Sequence, residues 1–116
     1  MSPGGMEGGD GFAMCVPWVA NPFRGDKFEA AWAPVAAAVL DYGASGYAFY
    51  RSGDDPLKFK QLAFVPDKLT WERYWYSEEV AEVRTEVGGY FHLPLVPAVF
   101  NTIGAETRSP QSVDAP

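Results

Sequence analysis

One cysteine, one histidine and nine basic residues against fifteen acidic ones set the first limits on this 116-residue chain. With Cys15 alone, no internal disulfide can form. Its place in the apolar run FAMCVPWVA marks it as a buried, inert thiol. A single imidazole, His92, and a distant cysteine leave no zinc-ligand spacing. A formal net charge of −6 without any strongly basic window argues against a nucleic-acid surface and against anionic membranes. No apolar run nears the ~20 residues that span a bilayer. The opening MSPGGMEGGDG has no basic stretch followed by an apolar one, so no secretory signal is expected and cytoplasm is the default. Nothing resembles a nucleophile elbow, and GASG (43–46) lacks the lysine and hydroxyl residue of a phosphate loop.

Aromatic residues are plentiful, at 16% of the chain, and four of them crowd into WERYWY (71–76). At this length one domain is expected, with enough chain to bury a core. Residues 1–11 read as a flexible leader, 12–105 as the domain and 106–116 as a polar tail.

Along the domain the pattern switches between periods of two and 3.6. FAMCVPWVA reads as a strand with Phe12, Met14, Val16 and Trp18 on one side and Ala13, Cys15, Pro17 and Val19 on the other. Pro17 cannot donate to a ladder and places a strand end, edge or bulge there. After the turn NPFRG, Asp26 and Glu29 have the spacing of a capping box, opening a helix that runs to about Tyr42 and stops at Gly43. Phe28, Ala31, Trp32, Val35, Val39 and Tyr42 form its apolar stripe, and Pro34 should bend it around the core.

GYAFYR (46–51) and LKFKQLAFV (57–65) flank the turn SGDDP and make a hairpin, with Asp54 and Asp55 as turn residues. Residues 68–87 are helical up to Gly88-Gly89. Their apolar residues fall on two nearly opposite stripes, so either the helix breaks at Ser77, an N-cap with Glu78 and Glu79 in the next first turn, or its far side meets something else; the break is the preferred reading. Glu72, Glu78, Glu79, Glu82 and Glu86, with Arg73 and Arg84, read as a solvated helix face. A last strand is expected over 95–103, with Val99, Asn101 and Ile103 on one side and Ala98, Phe100 and Thr102 on the other. Pro94 and Pro97 confine its start to an edge or to irregular chain.

Strand, helix, strand, strand, helix, strand is the split βαβ order of an α+β, ferredoxin-like domain: a four-stranded antiparallel sheet with its helices on one face. All four strands carry apolar residues on both sides, so the second face needs cover. The expected cover is a homodimer packed sheet against sheet and burying more than ~1,200 Å².

With that order, the helix DKFEAAWAPVAAAVLDYG, the strand FKQLAFVPD and the segment WERYWYSEEVAEVRTE before a last apolar strand resemble the dimeric α/β-barrel superfamily. The similarity is greatest to its antibiotic biosynthesis monooxygenase-like group. The resemblance covers about residues 12–105. It implies oxidation of aromatic polyketides, quinols or haem in a cavity between sheet and helices, often with no cofactor, because the electron-rich substrate itself reduces oxygen. By position, the resemblance lets Asn21 or a nearby strand-end residue stand for the asparagine of the haem-degrading branch, and Trp71 for its tryptophan. The histidine of that branch has no counterpart, since 77–87 contain none.

His92 is then the candidate base, with Trp71 and Asn21 beside it. Trp32, Tyr47, Phe49, Phe64, Tyr74, Trp75 and Phe91, with Phe100, are candidates to line an apolar cavity for a flat polycyclic ring. No metal and no cofactor are expected. Three readings stand side by side: a cofactor-independent monooxygenase, a dimeric binding module for a hydrophobic ligand, and a protein-interaction module whose aromatics fill the core and the dimer interface.

Overall fold

The computed structural model describes residues 11–93 and 95–108, so most of the expected leader and of the tail lies outside the described residues. Four strands, β1 (Phe12–Val19), β2 (Gly46–Arg51), β3 (Lys58–Val65) and β4 (Ala98–Asn101), form one antiparallel sheet in the order β2-β3-β1-β4. Helices α1 (Gly25–Ala37), α2 (Lys68–Trp75) and α3 (Glu78–Glu86) complete the fold. The expected α+β, ferredoxin-like topology is present, with the hairpin strand β2 and the last strand β4 at the edges.

Registers separate the two faces of the sheet. Met14, Val16 and Trp18 of β1 are buried with Phe59, Gln61, Ala63 and Val65 of β3. This is the face against which the buried side chains of α1 and α2 pack. Opposite it, Ala13, Cys15, Pro17 and Val19 lie beside Lys58, Lys60, Leu62 and Phe64, with Ala48 and Tyr50 of β2 and Ala98 and Phe100 of β4 completing the layer. Cys15 is buried, as expected of an inert thiol. Tyr50 and Phe100 are each 57% exposed, so among the described residues nothing covers this second face.

Pro17 does not end β1, which stays paired with β3 as far as Val19 opposite Lys58. Its missing N–H is tolerated for a local reason. The amide of Ala20 bonds the Leu57 carbonyl, so the even-numbered residues here face β3 and Pro17 faces the other way. On that side β4 pairs only as far as Cys15, leaving an open edge at Pro17.

The stripe on α1 buries Phe28, Trp32 and Val35, and Val39 follows in the same row. The capping box is not formed. Arg24 is the N-cap and no side chain bonds there. Asp26 and Glu29 instead both take Arg51, at 2.9 and 2.8 Å. A cation from β2 outcompetes a local cap because its Nη1 donates to two carboxylates at once. Past Pro34 the chain keeps α geometry to Ala37, then tightens to a 3-10 turn over Ala38–Tyr42 and stops at Gly43, whose φ of 110° suits glycine.

The break at Ser77 is present. Its hydroxyl accepts from the Val80 amide at 3.3 Å and donates to the Tyr74 carbonyl at 2.8 Å. The break lets α2 turn Trp71, Tyr74 and Trp75 inward while α3 buries Val80. Strand β4 is shorter than expected, four residues rather than 95–103. Pro97 immediately precedes it, and proline cannot join a ladder.

Candidate functional site

The space between sheet and helices is filled by aromatic rings around one amide. Gln61 projects from the centre of β3 and is 1% exposed. Its Oε1 accepts from the indole N–H of Trp32 at 2.9 Å and of Trp18 at 3.1 Å. Its Nε2 donates to the Tyr74 hydroxyl at 3.0 Å, and that hydroxyl donates to the Val35 carbonyl at 2.7 Å. Trp18 packs edge-on against Phe91 with centroids 4.8 Å apart and lies 4.7 Å from Trp32. Burial pushes the Tyr74 hydroxyl far above its ordinary pKa, which keeps it neutral and donating. Every polar atom of this knot has a partner, so Trp32 and Tyr74, expected to line a cavity, close the core instead.

The other expected site residues are dispersed. Trp71 is buried and stacks on Trp75, 5.1 Å away at 19°. Asn21 donates its amide to the Gly89 carbonyl at 2.8 Å, tying the end of β1 to the segment after α3. Tyr47 and Phe49 line a hollow of about 510 Å³ at the β2 edge. Phe64 and Phe100 lie on the uncovered face.

His92 does not meet Trp71. Phe91 pairs across from Ala20 and turns into the core, and the His92 amide bonds the Val19 carbonyl. In extended chain the next side chain points the opposite way, so His92 is exposed on the sheet's uncovered side. Among the described residues no cluster of three metal-ligating side chains exists.

One hollow does combine aromatic surface with an unsatisfied charge. A cleft of about 360 Å³ lies between α3 and the segment leading to β4, lined by Trp75, Phe91, Leu93 and Leu95 with Arg84 and Thr85. Two of these, Trp75 and Phe91, were expected in the site. Arg84 was not. It makes no pair with the glutamates of its own helix, because its neighbours one turn away are Val80 and Gly88. Its guanidinium sits 4.6 Å above the Trp75 ring, and Nη1 donates to the Trp75 carbonyl at 3.0 Å. Burial lowers its pKa from the ordinary arginine value, though an arginine stays charged.

A larger hollow of about 570 Å³, between Pro17, Val19, Tyr50, Lys58 and Lys60, opens on the uncovered sheet face. The arginine of the β2-edge hollow, Arg51, is already neutralised by two carboxylates. Among these hollows, the Arg84 cleft is the one in which a half-buried arginine lies over an aromatic ring with no carboxylate partner among the described residues.

No protein-family model and no curated protein matches the sequence. Solved structures do match in fold. A putative antibiotic biosynthesis monooxygenase from Nitrosomonas europaea superposes with a TM-score of 0.74 at 12% identity, over 82% of this chain and 92% of that one. One from Bordetella bronchiseptica gives 0.67 at 21% identity, over 80% and 98%. SnoaB, a cofactor-independent oxygenase from Streptomyces nogalater, gives 0.68 at 16% identity, over 88% and 99%. The chain has the fold of antibiotic biosynthesis monooxygenase-like structures, and at these identities the likeness is one of fold alone. No helix among the described residues is long and apolar enough to cross a membrane.

Proposed function

We propose that the protein is a monooxygenase-like enzyme that oxidises an electron-rich aromatic substrate in the cleft beside Trp75, without a dedicated cofactor. The observation that carries this reading is the cleft itself: an apolar lining of Trp75, Phe91, Leu93 and Leu95 next to the Arg84 guanidinium. The fold shared with SnoaB, described as a cofactor-independent oxygenase, supports it. For a phenolic ring the reaction balances without an added reductant. One oxygen atom of dioxygen enters the ring, the other leaves as water, and the phenol supplies every electron in becoming a quinone.

His92 is not the base in this reading, because its side chain faces away from the cleft. His92→Ala is therefore expected to leave turnover within about twofold, the size of effect seen when no proton transfer is removed. A large loss would return His92 to the mechanism.

The experiment is oxygen uptake with a naphthol under isotopically labelled dioxygen. Naphthoquinone carrying one labelled oxygen is the expected product, and binding without uptake would establish the ligand-binding module instead.

The second part of the reading is a homodimer through the uncovered sheet face, where Leu62, Phe64, Ala48, Tyr50 and Phe100 form one apolar layer. An exposed layer of this kind favours association. Leu62→Glu, at its centre, is expected to give a monomer in native mass spectrometry where the unmodified chain gives a dimer. A monomer before substitution would contradict this part.

A further inference from the structure

The charge in the cleft has a chemical consequence that rests on the cleft being the substrate site. An arginine offers five N–H donors in a planar fork. Arg84 spends one on the Trp75 carbonyl, and among the described residues no carboxylate lies within 4.0 Å of it. Its contact with the Trp75 ring, 4.6 Å from guanidinium to centroid, holds the fork at the cleft beside Leu93 and Leu95. A half-buried cation in such a place is poorly hydrated and gains most from an anionic oxygen arriving in the plane of its free N–H groups. The titratable groups whose charge it feels are the hydroxyls of Tyr74 and Tyr76. The acidic side chains of α3 do not compete for it. Glu79 is engaged with the Tyr42 hydroxyl, and Glu82 and Glu86, two residues either side of Arg84, lie off its row on the helix.

We infer that Arg84 is a specificity-determining residue that makes the cleft select aromatic ligands in their anionic form, with a phenolate, enolate or ring carboxylate oxygen against the guanidinium and the ring in the apolar part of the cleft, at Leu93 and Leu95 over Trp75 and Phe91. This assigns to Arg84 the task that His92 cannot perform from the other face of the sheet. No proton need be removed inside the cleft, because the cation draws the ionised substrate from solution and holds it in the electron-rich state that reacts with oxygen.

The test uses para-nitrophenol, whose phenolate absorbs in the visible, with nitrobenzene as the neutral analogue. In the wild-type protein the apparent pKa of bound para-nitrophenol is expected to fall by about one unit, a tenfold preference for the anion, the size of effect of one charge-assisted hydrogen bond. Arg84→Gln should abolish the shift and weaken the phenolate about tenfold more than nitrobenzene, and Arg84→Lys should keep part of the shift. An unshifted or raised pKa in the wild-type protein, or a shift that survives Arg84→Gln, overturns the inference while leaving the cleft in place. Thr85→Trp, which fills the cleft mouth, should weaken both probes. Binding that ignores it, or no binding of either probe, removes the cleft reading itself.

Discussion

Two polar groups sit among the tryptophans of this protein, and they are treated in opposite ways. Gln61 is sealed: two indoles and a phenol meet its amide, and the phenol in turn meets a backbone carbonyl. Arg84, among the described residues, donates only to the Trp75 carbonyl and lines a cleft open to solvent. A buried polar group whose partners are all internal specifies one packing of the core. A half-buried charge without a counter-charge is costly to keep and marks a place where a ligand completes the structure. The contrast sets a filled interior against an open cleft within a fold shared with monooxygenase-like structures.

The contrast can be broken most severely at Gln61. Gln61→Leu strands both indole N–H groups in the core and should cost about 3 kcal/mol, at the level expected for two unsatisfied buried donors, measured by denaturant unfolding. A neutral outcome would mean that the knot is not a unit. The knot also carries a pH signature. The Tyr74 hydroxyl has its pKa raised in the folded chain above the ordinary 10.0, chiefly by burial. Its contribution is complete below the ordinary tyrosine value and is lost as pH rises through and beyond it, because only the unfolded chain then ionises freely. Stability should fall on the alkaline side, and Tyr74→Phe should flatten that fall.

Smaller effects follow toward the cleft. Ser77→Ala, at the joint between the helix that seals the knot and the helix that carries Arg84, should cost about 1 kcal/mol, as for other N-caps. Arg84→Gln should cost less, about 0.5–1 kcal/mol from the lost stacking on Trp75. A loss as large as that of Gln61→Leu would make Arg84 a structural residue like Gln61.

Much of the scaffold was legible in the chain. Alternation over 12–19 and 58–65 separated the two sheet faces, the Phe28–Trp32–Val35–Val39 stripe marked the buried side of α1, and the two opposed stripes of 68–87 favoured the joint at Ser77 over an unbroken helix. These are local periodicities, and packing followed them. What escaped depends on partners distant in sequence. Asp26 and Glu29 have the spacing of a cap, but Arg51 reaches them from β2. Gln61 lay on the apolar side of its strand without any local sign that three aromatic side chains would converge on it. Arg84 stood among glutamates and read as their partner, while the joint at Ser77 turned Trp75 toward it. The alternation that separates His92 from the core is local: His92 lies between Phe91 and Leu93, and extended chain that buries Phe91 turns His92 the other way.

The most direct test of the contrast follows the indole N–H groups in a heteronuclear correlation spectrum while para-nitrophenol is added. The signal of Trp75 should move together with the amides of residues 84–95, and those of Trp18 and Trp32, bonded to Gln61, should stay in place. Movement of Trp18 and Trp32 with Trp75 unmoved would contradict the account, showing that the ligand enters the core and that the knot, not the cleft, is the site.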